Sequence, residues 1–365
     1  FYVRQDENHT ALTMLYLVFL LDMSGMLNDI GFNLDDELGV ANMAEYHYDD
    51  GAVYGFPTKY ENSRWILINE DMFKEAGLDI PYDGWTYSEF LADAEKLTHG
   101  EGQDKVYGVC WARKQSGKSI LYALDGVLGA NQIYKNEEGT EVNFDNDVYR
   151  AGFNLVKETL DKGYAIPIED EFSEDISVAN TFLQGKCAIM LGVAQMRLCM
   201  DQENYPHDFM TALVPAPVPD DEKYNTEFYR KQIGTTGAGD LLSISANTKY
   251  PEASFEFAMW YLKGGMSPLV QGGRIPLWNG VNKDEVLSVL KEKAQGSIDM
   301  DSMENYLSLD TTQGVAAIKG HASSEISSAW FEEFDAMCYG KQSVDQTVQN
   351  MEKRGNRIKQ SEVKK

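Results

Sequence analysis

The sequence predicts an α/β protein folded as two lobes, and three observations carry that prediction. The chain has 365 residues, more than one ordinary core accommodates, because domains usually run to roughly 100–200 residues. Short runs of β-forming residues alternate with amphipathic helical stretches, which is the pattern of α/β folds. No Pro/Gly/Ser-rich linker, fixed-period repeat or low-complexity tract divides the chain. Two lobes would therefore be joined by short ordered crossings, which is a hinge architecture.

Composition narrows the function classes. A hydrophobic fraction of 43% with 25% charged residues is that of a folded globular protein. Lys and Arg total 32 against 58 Asp and Glu, a net charge of -26, and such a field repels nucleic-acid backbones and anionic lipid alike. We expect no nucleic-acid partner and a monomer. Cys110, Cys187, Cys199 and Cys338 form no CxxC pair and no metal-ligand spacing with the five histidines, so neither a metal nor another cofactor is predicted. The apolar run Leu12 to Leu21 is broken by Thr13 and is too short to span a bilayer; it reads as a buried helix. No basic stretch precedes an apolar one at the start of the chain, so any export signal would lie outside it.

The first strand is expected at Phe1-Tyr2-Val3. Further strands are expected at 65–68, 106–110, 187–191, 210–214 and 241–244. Between them, Thr86 and Glu89 have the spacing of a capping box, followed by Leu91, Ala94 and Leu97 on one helical face. Asn146 suits the cap of a helix carrying Tyr149, Phe153, Val156 and Leu160 and ended by Gly163. Pro251 suits the first turn of a helix stopped by Gly264-Gly265. Ser343 with Gln346 starts a last amphipathic helix.

Gly55-Phe56-Pro57, Trp65 to Asn69 and Met72-Phe73-Lys74-Glu75-Ala76-Gly77-Leu78 resemble a stretch of the family 1 extracellular solute-binding proteins, the maltose-binding-protein-like group. Trp85 to Phe90, Phe182 to Met190 with Gly192, Pro251-Glu252-Ala253 with Phe257, and Gly340 with Ser343 follow in the same order. The resemblance implies a two-lobed periplasmic-binding-protein-like fold of type II with hinge crossings. Lobe I would comprise residues 1–58 and 240–283, and lobe II residues 59–239 and 284–365. It implies strand–helix units before Phe1, so that lobe I as given is incomplete. It also implies a carbohydrate or oligosaccharide ligand, delivery to an ABC-transporter permease, and a periplasmic or lipid-anchored cell-surface location.

Sugars need hydrogen-bonding groups for hydroxyls and aromatic faces for C–H surfaces. In open α/β sheets ligands sit at the carboxyl ends of strands. Read with these rules, the resemblance implies ligand contacts from Asp6 and Glu7 after the first strand, near where the family carries a sugar-hydroxyl acceptor, and from Tyr60, Glu61, Asn62 and Arg64 in the first crossing, where the family contacts ligand. The rules also select Trp111 and Arg113 after the strand at 106–110, Gln195 where relatives carry a stacking ring, Asp240 on the way back to lobe I, and Trp278 in the loop resembling the family's "G.iP" segment. For Trp111 and Trp278 simple packing competes with stacking on sugar, and for the crossing residues a solvated hinge is the alternative. Trp330, spaced with Phe331 and Phe334, reads as core.

Other functions find less support. Ala112 to Ser119 nearly fits a phosphate loop, but Ala112 replaces its first glycine and the later strand Cys187 to Leu191 ends without a magnesium-binding acid. A glycoside hydrolase would need two facing carboxylates, which the sequence cannot single out among 58 acids. No GxSxG, HExxH or Cys/His nucleophile signature is present, and no catalysis is expected. Polyamine, iron or peptide ligands are alternatives to sugar within the binding class.

Overall fold

The computed structural model describes residues 2–4, 19–43, 46, 51–61, 64–113, 134–136, 139–173, 177, 181–232, 239–265, 267–309 and 323–362. Among them are two four-stranded sheets. The first has the order β1-β7-β2-β8, from β1 (Tyr2–Arg4), β2 (Phe56–Tyr60), β7 (Gly239–Ser243) and β8 (Ile275–Pro276), with every neighbouring pair antiparallel. The second has the order β4-β5-β3-β6, from β3 (Trp65–Asn69), β4 (Tyr107–Cys110), β5 (Cys187–Met190) and β6 (Thr211–Pro215). There β4 and β5 run parallel, and β3 runs antiparallel to both β5 and β6.

Helices cover the sheets. With the first sheet go α1 (Ser24–Asp29), α2 (Leu34–Leu38), α3 (Val40–Met43), α9 (Pro251–Trp260) and α10 (Ser267–Val270). With the second go α4 (Glu70–Glu75), α5 (Tyr87–Leu97), α6 (Asp147–Asp161), α7 (Ile168–Ser173), α8 (Met196–Cys199), α13 (Ser323–Cys338) and α14 (Val344–Glu362). Two more, α11 (Lys283–Ala294) and α12 (Met300–Ser308), lie between. The sequence signals act where expected. Thr86 Oγ1 accepts from the Glu89 amide while Glu89 returns a carboxylate to the Thr86 amide. Asn146 caps α6 through the amides of Val148 and Tyr149. Ser343 and Gln346 cap α14 reciprocally.

The residue alternation of β3 divides the interior in two. Trp65 and Leu67 point into one apolar cluster that runs on through the first sheet, while Ile66 and Ile68 point into a second cluster containing Trp85, Phe90, Phe153 and Trp330. Trp330 is fully buried against Phe334 and Phe153, the core position expected of it. Tyr306 of α12 lies between Tyr60 and Trp65, with ring centroids 5.8 and 5.3 Å away. One core therefore spans the junction between the sheets. The helix expected over Leu12 to Leu21 lies outside the described residues up to residue 18. Its described end differs from a helix: Leu20 bridges Ser245 and the Leu21 amide donates to the Ile244 carbonyl, continuing the sheet edge beyond β7.

Candidate functional site

The two sheets meet edge to edge, and most of the chemistry singled out from the sequence gathers there. At the first edge β1 and β2 end, while β7 and β8 begin, because Lys59 pairs with Gly239 and Tyr60 with Ile275. At the facing edge β4, β5 and β6 end and β3 begins. Only residues 61–64 separate β2 from β3, so the carboxyl end of one sheet opens directly onto that of the other. Asp6, Glu7 and Asn62 follow β1 and β2 in the sequence and lie outside the described residues, as does most of the segment from Ala112 to Ser119.

Two ion pairs mark the first edge. Lys59 Nζ lies 2.7 Å from Glu61 Oε2, with both side chains about one-fifth exposed at 21% and 22%. Arg274 Nε donates to Asp240 Oδ2 at 2.6 Å. Asp240 is buried and takes a left-handed φ of 55°. Its carbonyl accepts the Thr58 hydroxyl at 2.8 Å, which fixes β7 beside β2 at this point. Asp240 is thus spent inside the protein, whereas the Arg274 side chain stays one-third exposed. The sequence reading missed Arg274, since a lone arginine before a two-residue strand carries no local signal.

The second edge turns sharply at two adjacent strand ends. After β4 the chain passes through Ala112 at φ 50°, and after β5 through Gly192 at φ 105°. Arg113 is gripped by Asp335 in a two-point contact of 2.8 and 3.0 Å, lies over the Phe331 ring at 4.1 Å, and gives its amide to the buried Glu171. The arginine thereby ties the end of β4 to α13. Gln195 is half-buried in the turn before α8, and its side-chain amide makes no hydrogen bond to the described residues.

Four of the selected side chains sit away from solvent-facing positions. Trp111 belongs to the second core, packed on Phe90, and its indole N–H donates to Thr159 Oγ1 at 2.9 Å. The packing reading holds there, because neither face of the ring is open. Arg64 is buried and donates to the Ala216 and Pro217 carbonyls at 2.7 and 3.3 Å. Burial pulls its pKa down to about 10, against the pull of the Tyr87 hydroxyl. It clasps the start of β3 to the end of β6. Tyr60 and Trp278 converge with Tyr306 on a void of about 10 Å³, at the limit of what admits a single water. Trp278 also donates to Glu37 at 2.7 Å, so both rings pack at the junction.

Among the described residues no group of three or more His, Cys, Asp or Glu is placed to hold a metal ion. The fold matches solved structures over nearly its whole length. An ABC substrate-binding protein of Listeria monocytogenes, solved in complex with cycloalternan, superposes with a TM-score of 0.71 at 18% identity, covering 96% of this chain and 82% of that one. The cyclic alpha-maltosyl-1,6-maltose binding protein of Arthrobacter globiformis gives 0.67 at 15% identity, covering 95% and 82%. UgpB of Mycobacterium tuberculosis, in complex with glycerophosphocholine, gives 0.66 at 17% identity, covering 96% and 82%. These likenesses show the two-lobed periplasmic-binding-protein fold. The family profile described as bacterial extracellular solute-binding protein matches residues 18–263, and this chain belongs to that family.

Proposed function

We propose that the protein is the ligand-capturing component of an ATP-driven uptake system, holding an uncharged oligosaccharide between the two sheet edges and handing it unaltered to a membrane permease. The observation that carries the choice of sugar is the charge balance of the first edge. Two cations described there, Lys59 and Arg274, are each paired with a carboxylate, Glu61 and Asp240. These pairs offer strong donors and acceptors whose charges cancel, which suits hydroxyl groups. A polyamine would call for unpaired acids. The Listeria and Arthrobacter neighbours, named with cyclic glucan ligands, support the same reading.

On this reading Glu61, Arg274 and Gln195 contact the sugar, together with Asp6, Glu7 and Asn62 from the segments that follow β1 and β2. Asp240 orients Arg274, while Arg64, Trp111 and Arg113 hold the scaffold. The boundaries expected at 58/59 and 239/240 fall inside β2 and β7 of the first sheet, so on this reading the lobes divide at residues 61–64, before Gly239 and at 283/284, and a sugar touching both edges favours the closed arrangement because only there are both sets of contacts made. The family name supports an extracytoplasmic location, and no described helix is long and apolar enough to cross a membrane. The test is a thermal-shift and calorimetric screen against linear and cyclic gluco-oligosaccharides and a polyamine panel, with chromatography of the sugar afterwards. We expect a saturable shift with an oligosaccharide that is recovered intact. A response to polyamines alone, or recovery of cleaved sugar, overturns the proposal.

A further inference from the structure

A recess of about 340 Å³ lies outside the site described above, lined by Arg197, Leu198, Asp201, Gln271, Gly272 and Lys293. Three parts of the fold contribute: α8 and the turn after it, the turn after α10, and the end of α11. They meet at a seam. Gly273, at φ +76°, leads into β8 of the first sheet, and a Cβ added to it would sit 3.0 Å from Arg197 Cβ and 3.1 Å from Met200 Cε, on the second-sheet side. The recess therefore straddles the contact between the two bodies of the molecule.

Its charges are unbalanced. One acid faces two cations: the Asp201 carboxylate stays ionised, and Asn204 Nδ2 donates to both its oxygens, at 3.1 and 2.9 Å, while the Asn204 backbone amide donates to Oδ1 at 3.3 Å. These bonds, the side-chain amide foremost, hold the Asp201 pKa below the usual carboxylate range. Arg197 and Lys293 form no ion pair with any described carboxylate. Lys293 reaches Asp201 only through space. In a chain of net charge -26, two cations without a bonded acid beside an open recess form a local trap for negative charge.

We infer that this recess binds a small soluble oxyanion, a phosphate or carboxylate group, held by Arg197 and Lys293 with the Gln271 amide as a third donor. Arg197 belongs to the second body and Gln271 to the first, so the anion bridges the seam and stabilises the arrangement in which the turn before β8 rests on α8. Sites that bias one equilibrium are reciprocally coupled, and bound anion changes the readiness of the lobes to part. The inference is independent of which solute the main site takes.

The experiment uses inorganic phosphate as probe, in calorimetry and thermal melts, against sodium chloride at matched ionic strength. Saturable binding is expected, weakened at least tenfold in Arg197→Gln and in Lys293→Ala. Lys291→Ala, on the exposed face of the same helix, should bind as the parent does, and far-UV dichroism checks that each variant is folded. Should Arg197→Gln be unfolded, Lys293→Ala alone decides. Absence of saturable binding, equal loss in Lys291→Ala, or binding only to vesicles containing phosphatidic acid and not to free phosphate each overturns the inference.

Discussion

Asp240 holds a left-handed backbone conformation that costs a non-glycine residue on the order of 1 kcal/mol or more. The expense is offset locally, through Thr58 on its carbonyl and Arg274 on its carboxylate. A strained, buried acid that orients a partly exposed arginine is a positioning device, consistent with the ligand contact proposed for Arg274. Arg274→Ala should weaken binding of the best oligosaccharide by roughly tenfold to a hundredfold, the scale of a hydrogen bond to a charged group, and should also cost about 1–3 kcal/mol in a denaturant melt, because the buried Asp240 carboxylate loses its partner. Calorimetry that finds unchanged affinity removes Arg274 from the site. A second residue-scale prediction concerns Asp93 on α5. Burial pushes its pKa up to about 6, with Glu89 and Asp79 adding to the rise and Lys96 opposing it. The folded state thus holds this proton more tightly than the unfolded chain. The associated stability is present below about pH 4 and is lost as pH rises through about 6. Asp93→Asn should remove that slope and leave the protein more stable at neutral pH by about 1 kcal/mol, allowing for the solvent exposure of the group. Urea melts at pH 4, 5, 6 and 7 provide the check, and parallel curves for parent and variant would refute it.

Gly108 sets how closely α5 approaches β4. A Cβ added there would fall on the backbone of Ala94, so Gly108→Ala must push the helix off the sheet and should cost about 2–3 kcal/mol. Gly25, in α1, has nothing within 4 Å of the same added atom, and Gly25→Ala should stabilise by about 0.5–1 kcal/mol. The pair, compared by chemical denaturation, separates packing from helix propensity. If both substitutions act alike, close approach is not what selects glycine at 108. Elements governed by such short-range chemistry were legible in the sequence: the Thr86–Glu89 box, the Asn146 cap and the apolar strand at 65–68 all formed as read. β2 was not, because Pro57 disguises it. Pro57 pairs with Leu241 of β7 yet has no N–H to give to that ladder. The site was legible to the level of strand ends. Which side chain at an edge turns inward, as Trp111 does, or stays partly exposed, as Arg274 does, is decided by neighbours tens of residues away, and no local pattern records it.

A net charge of -26 acts on the whole molecule, and it separates the candidate ligands more cleanly than any single contact. Exposed charges are screened beyond about 10 Å at 0.1 M salt and beyond about 3 Å at 1 M. A polycation drawn by the acidic field would lose affinity steeply over that range. An uncharged sugar carries no charge for the field to act on, and the pairs Lys59–Glu61 and Asp240–Arg274 that it meets are partly buried and therefore weakly screened. Its affinity should change by less than about threefold between 0.1 and 1 M sodium chloride, while the melting temperature of the free protein rises as self-repulsion is screened. Both quantities come from one set of titrations and melts on the intact chain. A drop in affinity of tenfold or more across that range would mean that the ligand carries positive charge or that the edge pairs separate on binding, and in either case charge balance at the first edge no longer argues for sugar.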